Sequence, residues 1–285
     1  MRYRKHFKEE NEFSDISRSH ILKGGKIMKQ RDKDRFHSLK MADAYNHMCQ
    51  MLVPGYNFLQ DTLINILKFE DIKEIVLLDL GAGSGIFLEK VLKEFPDSKC
   101  YYLDYSDDFM QVAKERLRKY DDRVTFIKSD FSGNWESKIS EAPTVITSSS
   151  AIHHLSSENK KKLYKKCYDT LKEEGWFFNI DEMKTVNEDA YIKNLYYWVY
   201  HANKQKKQLS DDDMDAYLKW MDQFNNWKKR NVDGIDKPKK EGDDIHESFL
   251  AQLDWLKEIG FIETDVFSKH FLWCLIGGKK VYGTF

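Results

Sequence analysis

Short apolar runs alternate with helical segments along most of the chain. Five of these runs predict buried strands, at 76–80, 99–104, 124–127, 144–147 and 176–180. Between the runs, apolar residues recur at the spacing of amphipathic helices. This alternation is typical of a parallel sheet that helices cover on both faces.

Two more apolar runs close the chain, at 261–267 and 271–276. Only Ser268, Lys269 and His270 lie between them. A crossover to a parallel strand needs about a dozen residues, so this pair must form an antiparallel hairpin. The predicted fold class is therefore α/β, with a Rossmann-like, seven-stranded, mostly parallel sheet and an antiparallel C-terminal hairpin.

The pattern divides the chain into five parts. Residues 1–30 are polar and without periodicity, so we expect a disordered or non-native leader. Translation starting at Met28 is one hypothesis, because Lys23–Lys26 is what a translated ribosome-binding site would spell. The other parts are a helical N-terminal cover (31–68), a core (69–186), a helical insertion (187–245) and a C-terminal helix with the hairpin (246–285).

Two local features of these parts can be predicted further. The helix at 157–173 is expected to stop at Gly175, acting as the C′ glycine. The insertion at 187–245 carries many aromatic residues, and insertions after a late strand commonly form a lid. The alternative is a helical hairpin that packs on the sheet and touches no ligand.

Composition excludes several classes of protein. The formal net charge is −1 with 33% charged residues, so no overall basic field marks a nucleic-acid or membrane-surface protein. The four cysteines lie far apart, which fits neither a zinc site nor a disulfide framework and is typical of a reducing cytosol. No apolar run approaches the roughly 20 residues that span a bilayer. We therefore expect a soluble, cytoplasmic protein without a metal site, as a monomer or homodimer.

Three glycines at alternate positions, Gly81, Gly83 and Gly85, follow the first predicted strand directly. Such a short passage from strand to helix needs positive φ, and a ligand on the loop needs a backbone without Cβ. Asp104 stands 19 residues after Gly85, at the end of the second strand, where a carboxylate binds the hydroxyls of a ribose. A dinucleotide enzyme would have its third glycine where Ile86 stands. The spacing therefore favours a nucleoside ligand without a pyrophosphate.

With Asp79, Asp130 and the final hairpin, the sequence from about Lys33 to Lys279 resembles the class I S-adenosylmethionine (SAM)-dependent methyltransferases. Within this superfamily, four stretches resemble a group of small bacterial methyltransferases whose layout carboxy-SAM synthase shares. They are Val53–Tyr56, Ser149–Leu155, Leu171–Gly175 and Gly260–Lys279.

The resemblance implies SAM as the cofactor and S-adenosyl-L-homocysteine as the product. The methionine part of SAM would meet the glycine loop (Gly81, Ala82, Gly83 and Gly85), which Asp79 would brace. The rest of SAM would meet residues at the strand ends: Asp104 at the ribose, Tyr105 and Met110 beside the adenine, Asp130 and Phe131 at the adenine edge, and Ser148 at the ammonium.

The chemistry asked of such a protein is alignment of an in-line displacement and removal of a proton from the acceptor. His153 and His154 follow the fourth strand, next to the expected methyl group, and either is a candidate base, with His153 favoured. A structural role at a helix start is the alternative. Asp181 and Glu182, at the end of the fifth strand, are weaker candidates that could instead anchor the loop.

Acceptor-binding candidates lie outside the core. Tyr45 and Tyr56 in the N-terminal cover are packing residues or reach the ligand, and Tyr196 and Tyr200 in the insertion could stack on a planar or cationic acceptor. Arg230 is the cation that an extra carboxylate would need if the protein were a carboxy-SAM synthase.

The leading function is therefore methyl transfer to a small-molecule acceptor, without a membrane partner. Three alternatives stay open: carboxy-SAM synthesis, a non-catalytic SAM-binding module, and an RNA-modifying methyltransferase. The last rests on a lysine-rich stripe in the insertion, which acidic residues such as Asp211–Asp213 interrupt.

Overall fold

The computed structural model describes residues 39–70, 72–240 and 242–281. The predictions on residues 1–30 and on Met28 lie outside these ranges. The helices are α1 (Leu39–Leu52), α2 (Tyr56–Phe69), α3 (Ile86–Glu94), α4 (Asp107–Leu117), α5 (Ser157–Thr170), α6 (Glu188–Gln205), α7 (Met214–Asn231) and α8 (Phe249–Ile259). The strands are β1 (Val76–Leu80), β2 (Lys99–Asp104), β3 (Val124–Lys128), β4 (Val145–Ser149), β5 (Trp176–Glu182), β6 (Ile262–His270) and β7 (Trp273–Lys279).

The strands form one sheet in the order β3-β2-β1-β4-β5-β7-β6. The first five strands pair in parallel, and β7 and β6 join them antiparallel. This confirms the predicted fold class. The strand order reverses between β1 and β4, and open α/β sheets bind their ligands in the crevice at such a switch point.

Helices cover both faces of the sheet. In β1, Leu77 packs into the core on the side of α1–α4, α6 and α7, whereas Val76, Leu78 and Leu80 pack into the core on the side of α5 and α8. All five residues of β1 are buried. This two-sided burial explains why the parallel strands read as continuous apolar runs.

The hairpin forms as predicted, but its turn lies elsewhere. Ser268, Lys269 and His270 belong to β6 and pair with Leu275, Cys274 and Trp273. The chain reverses at Phe271, whose φ is +53°. The prediction of a turn at 268–270 was wrong because β6 is an edge strand, where polar side chains can face solvent without interrupting the strand.

Gly175 does not cap α5 as predicted. The helix ends at Thr170, and Leu171 follows with φ −60° and ψ 140°. The residue with positive φ in this turn is Glu174, at +64°. A Cβ on Gly175 would lie 2.8 Å from the Lys172 carbonyl oxygen and 3.0 Å from that of Thr144, so close backbone approach requires the glycine.

The helices of the insertion pack against the N-terminal cover. The Trp198 indole in α6 donates to the Leu52 carbonyl at 2.9 Å, and His201 Nε2 lies 2.9 Å from the Met51 carbonyl. After α7 the chain returns to the sheet, where the Ile245 amide donates to the His153 carbonyl at 2.8 Å. Both ends of the insertion therefore lie at the carboxyl edge of β4 and β5. Its role as a lid stays a prediction.

Two predictions from composition concern the chain's environment. All four cysteines are buried free thiols. In the described part of the chain, no helix has the length and apolar character to cross a bilayer. The cytoplasmic location stays a prediction.

Candidate functional site

The glycine loop joins β1 to α3 in the conformation that its sequence predicts. Gly81, Gly83 and Gly85 have φ values of +68°, +52° and +74°. The Gly81 and Ala82 amides donate to the Leu103 carbonyl at 2.8 and 3.0 Å. The loop is thus fixed to the end of β2.

Gly81 is required by space as well as by φ. A Cβ at this position would lie 2.5 Å from Ala151 Cβ and 3.3 Å from the Phe131 ring. The segment after β4 can therefore pass directly over the glycine loop only because position 81 has no side chain.

Two buried carboxylates face this loop. Asp104 accepts hydrogen bonds from the Gly83 and Ser106 amides, each at 2.9 Å, and is 7% exposed. Asp79 accepts from the Thr147 hydroxyl at 3.0 Å. Burial raises the pKa of Asp79 to about 7; the Thr147 hydrogen bond opposes this rise and the negative charge of Asp104 adds to it. Asp79 therefore ties β1 to β4 two residues before Gly81, and its role in bracing the loop stays a prediction.

The other predicted cofactor residues lie along the same edge. Tyr105 is 41% exposed, and Met110 is buried in the core at 8% exposure. Asp130 is exposed and holds a turn, since its Oδ1 accepts from the Ser132 amide at 2.8 Å and the Gly133 amide at 2.9 Å. The Ser148 hydroxyl is buried and donates to the Leu80 carbonyl at 2.8 Å.

A second group of polar side chains occupies the carboxyl ends of β4 and β5. We define the His153 cluster as His153, His154, Asp181, Glu182 and Asp244. A single 3₁₀ turn, Ile152–His154, follows β4 and carries both imidazoles, whose ring centroids lie 4.0 Å apart. The preceding Ser150 has φ +62°, a strained conformation of the kind that concentrates at functional sites.

Asp181 orients His153 through both backbone and side chain. The His153 amide donates to Asp181 Oδ2 at 2.8 Å, and His153 Nδ1 lies 2.5 Å from Asp181 Oδ1. Because an ionised carboxylate only accepts, Nδ1 must carry the proton of this bond. Nε2 then faces Asp244 Oδ1 at 3.7 Å and Glu182 Oε1 at 4.0 Å.

Side chains from the insertion complete the cluster. Asp244 Oδ2 accepts from Arg230 Nη2 at 2.7 Å, Arg230 Nε at 3.1 Å and Asn231 Nδ2 at 2.8 Å. Glu182 Oε2 accepts from the Trp227 indole at 2.9 Å and lies 2.8 Å from His246 Nε2. Arg230 is therefore bonded to a carboxylate of this chain.

The charges of the cluster change the protonation of His153. Burial by itself lowers the pKa of this imidazole, but the charges of Asp181, Glu182 and Asp244 outweigh burial and raise the pKa to about 9. Lys160, which is 1% exposed, has its pKa lowered to about 8 by burial. Its ammonium donates to the Leu155 carbonyl at 2.8 Å and the Ile245 carbonyl at 2.6 Å, so it fastens the returning insertion to the histidine turn.

The predicted acceptor tyrosines have different surroundings. The Tyr45 and Ser150 side chains are hydrogen-bonded, and burial together with the nearby Cys49, Glu182 and Asp181 raises the pKa of Tyr45. Tyr56 lies close to Tyr45, and its pKa is raised mainly by burial. Tyr196 is partly buried against the core, and Tyr200 is 49% exposed on α6. Tyr45 is thus the one of these four that the structure shows beside the His153 cluster.

Sequence reasoning missed Asp244 and His246. Both lie in the segment after α7, where the pattern indicated a loop near 237–242 and nothing more. A usable signal was present: an Asp and a His flank the apolar Ile245 in an otherwise polar stretch. Such alternation indicates a segment that packs one side against the rest of the protein.

Comparison with known proteins agrees with this geometry. Residues 78–177 match a family model described as "Methyltransferase domain". Carboxy-S-adenosyl-L-methionine synthase from Nautilia profundicola is 26% identical over 172 residues, which are 60% of this chain and 71% of the relative. Carboxy-S-adenosyl-L-methionine synthase 1 from Yersinia pseudotuberculosis is 30% identical over 82 residues, 29% of this chain and 34% of the relative.

Solved structures share the fold at low identity. PigF in complex with S-adenosyl-L-homocysteine has a TM-score of 0.56 at 14% identity, over 89% of this chain and 63% of PigF. Magnesium protoporphyrin IX methyltransferase from Synechocystis PCC 6803 has a TM-score of 0.52 at 11% identity, over 79% of this chain and 84% of that protein. Residues 78–177 are therefore similar to a methyltransferase domain, and the chain shares the fold of these solved structures. Its sequence is homologous to that of carboxy-SAM synthase over part of its length.

The residues present fit SAM, the cofactor that the sequence predicts. A Cβ on Gly83 would have Phe109 at 3.8 Å as its nearest contact, so the loop backbone is open there, and Asp104 places a carboxylate at the end of β2 beside the loop. The switch point between β1 and β4 lies directly at this loop.

Proposed function

We propose that the protein transfers the methyl group of SAM to a small-molecule acceptor. The observation that carries this proposal is the position of the segment after β4, which passes over Gly81 at Ala151 and leads directly into the turn that carries His153 and His154. The proposed SAM-binding loop and the His153 cluster thus lie at the same edge of the sheet. Gly81, Ala82, Gly83 and Gly85 hold the methionine part of SAM. Asp104, Tyr105, Met110, Asp130, Phe131 and Ser148 hold its remaining parts.

When SAM is bound, its sulfonium supplies an activated methyl group. The bond between sulfur and the methyl carbon breaks, the sulfur keeps the electron pair, and an acceptor heteroatom bonds to the methyl carbon. The acceptor's proton passes to water, so the products are methylated acceptor, S-adenosyl-L-homocysteine and a proton. The protein therefore has to align the two reactants and help the proton leave.

The acceptor side of the site is the His153 cluster with Tyr45. The carboxylates around His153 favour its protonated form. This imidazole is therefore better suited to bind the acceptor through a hydrogen bond than to act as the general base. His154 has a side chain that is 23% exposed and is the more accessible of the two rings. Asp181 acts through His153 as a positioning residue, and Tyr45 with Tyr56 lines the approach from α1 and α2.

A small acceptor is favoured over RNA by the surroundings of this site. Two cations of the basic stripe in the insertion have acidic partners: Lys228 lies 3.1 Å from Asp233, and Arg230 lies 2.7 Å from Asp244. A groove for RNA needs cations that track phosphates instead of pairing with carboxylates of the same chain. The stripe therefore resembles a solvated helix face.

Carboxy-SAM synthesis is the second candidate, because two relatives carry that name. An extra carboxylate on SAM needs a fixed cation, and Arg230 was the residue predicted for it. Arg230 donates two hydrogen bonds to Asp244, which occupies its guanidinium. This pairing favours methyl transfer over carboxy-SAM synthesis.

One experiment separates these functions. The full chain is incubated with SAM and a panel of small hydroxyl-, amine- and thiol-bearing acceptors, and in parallel with SAM and small carboxylic acids that can supply the extra carboxyl group of carboxy-SAM. The adenosyl products are identified by mass spectrometry. S-adenosyl-L-homocysteine that forms only with certain acceptors supports methyl transfer. Carboxy-SAM that forms in the wild type and is lost in Arg230→Ala supports the second candidate. SAM binding without any product supports a binding module.

A further inference from the structure

Three side chains of the His153 cluster have the composition and spacing of metal ligands. His153, His154 and Asp244 each offer one ligand atom, and these atoms all lie within 4.8 Å of one another. Asp244 Oδ1 is 3.5 Å from His154 Nδ1 and 3.7 Å from His153 Nε2. These separations exceed those of good N–H···O hydrogen bonds. Two donors bonded to one ion at about 2.1 Å lie roughly 3.0–3.5 Å apart, so the observed spacing is close to that of a shared ion.

The first imidazole is held as a metal ligand would be. Asp181 accepts the Nδ1 proton of His153 at 2.5 Å, so Nε2 is the nitrogen that faces Asp244 and would release its proton when an ion binds. Asp181 is itself fixed by the amides of His153 and Glu182, at 2.8 and 3.0 Å. A carboxylate that orients the far nitrogen of a ligating histidine is a recurring feature of metal sites.

The two carboxylate oxygens of Asp244 face different partners. Its Oδ2 takes three hydrogen bonds from Arg230 and Asn231, and its Oδ1 is turned toward the two imidazoles. Asp244 is 1% exposed. Arg230 meets the charge of Asp244 at Oδ2, and Glu182 adds a second buried carboxylate whose Oε1 lies 4.0 Å from His153 Nε2. A divalent cation on the Oδ1 side would add positive charge between these two carboxylates.

We propose that His153, His154 and Asp244 bind a divalent transition-metal ion of the Zn²⁺, Fe²⁺ or Co²⁺ class, with Glu182 beside it. Two imidazoles and one carboxylate suit these ions and leave coordination positions open. Sequence reasoning predicted no metal site, because Asp244 is far from the histidine pair along the chain and reaches it only through the fold.

This inference rests on the proposed function and gives the His153 cluster a chemical role in it. An acceptor hydroxyl bound at an open position of the ion loses its proton to water more readily, which generates the oxygen nucleophile without a free imidazole base. The acceptor class is then one with an oxygen able to bind a metal ion.

The test is metal uptake by the full chain, prepared without a polyhistidine tag and stripped with a chelator. Co²⁺ is titrated while its visible absorption is recorded, and Zn²⁺ is measured by competition against Co²⁺. We expect one bound ion per chain. Asp244→Asn, which can keep one oxygen toward Arg230, and His154→Ala should each weaken binding about tenfold or more. His47→Ala is the matched control, since His47 is an exposed histidine outside the cluster and should leave binding unchanged.

Two outcomes overturn the inference: no uptake by the wild type, or equal uptake by the wild type and both cluster variants when circular dichroism shows all of them folded. The readout needs neither SAM nor an acceptor. Methyl transfer by metal-free protein at the full rate would refute the role of the ion in the reaction and leave the proposed function supported. Metal uptake by a chain that binds no SAM would refute the proposed function and leave the metal site supported.

Discussion

His153 and Asp181 are joined twice, since one carboxylate oxygen takes the His153 amide proton at 2.8 Å and the other meets the imidazole Nδ1 at 2.5 Å. The ring can therefore neither rotate nor exchange tautomers without breaking a buried, charge-assisted contact. This fixed orientation is what makes Nε2 point toward Glu182 and Asp244.

Asp181→Asn should lower methyl transfer while leaving SAM in place. The amide of Asn can still accept one bond, but it cannot hold both the backbone and the Nδ1–H of His153. We expect kcat to fall about 10- to 100-fold with little change in the affinity for SAM. The check is a rate assay with an accepted substrate together with SAM calorimetry. Asp169→Asn, at an exposed carboxylate, should change neither, and a matching loss of SAM affinity in Asp181→Asn would contradict the assignment.

Gly81→Ala should damage the loop more than positive φ alone explains. An alanine there has φ +68° and would place its Cβ 2.5 Å from Ala151 Cβ. Gly242→Ala is the matched control, because Gly242 also has a positive φ, +88°, and its added Cβ would meet nothing within 4 Å. We expect Gly242→Ala to cost about 1 kcal/mol and Gly81→Ala clearly more, with weaker SAM binding as well. Urea unfolding and calorimetry measure both effects; equal costs would show that the close approach is unimportant.

Asp79 should make the protein less stable as pH rises from about 4 to about 7. Its folded pKa of about 7 stands above the ordinary value of 3.8, so the folded state binds more protons between these values. The contribution of Asp79 to stability is therefore fully present below pH 4 and lost as pH rises through 7, with a slope of up to about 1.4 kcal/mol per pH unit.

Asp79→Asn keeps an oxygen for the Thr147 hydroxyl and removes the titration. The free energy of unfolding is measured by urea at several pH values. The value for the variant minus the value for the wild type should increase between pH 4 and 7. If the free energies of unfolding of the two proteins changed with pH in parallel, the raised pKa of the Asp79 carboxyl would be contradicted.

Lys160 should be essential for the attachment of the segment that carries Asp244. Lys160→Met would remove a buried ammonium and leave the carbonyls of Leu155 and Ile245 without this donor. We expect a loss of about 2 kcal/mol or more in unfolding free energy and faster proteolysis within 232–248. Lys162→Met, at an exposed lysine on the same helix, should behave as the wild type. Unchanged proteolysis in Lys160→Met would mean that the segment is held by other contacts.

The sequence was sufficient to predict the sheet and the glycine loop. Strands such as β1 are buried on both faces and bounded by turn residues, so each one appears in the sequence as a short apolar run. The loop requires positive φ, and the three glycines in the sequence indicate this directly. The edge strand β6 was misjudged at Ser268–His270, because solvent exposure permits polar residues there.

The candidate site could be predicted only in its local part. Asp79 lies within β1, Gly81 directly follows it and Asp104 ends β2, so the strands themselves imply the positions of these residues. Asp244 and His246 reach the His153 turn through the insertion, and the Lys160 contact that fixes this return joins residues distant in sequence. No periodicity reports such a contact, so these residues were found only from the fold.

The most direct measurement of the central claim is calorimetric titration of SAM into the full chain and into Asp104→Ala. We expect saturable binding at one site in the wild type, weakened about tenfold or more in the variant, because the ribose hydroxyls lose their carboxylate acceptor. Asp169→Asn should bind as the wild type. Absence of SAM binding in the folded wild type, or unchanged affinity in Asp104→Ala, would contradict a SAM seat on the glycine loop.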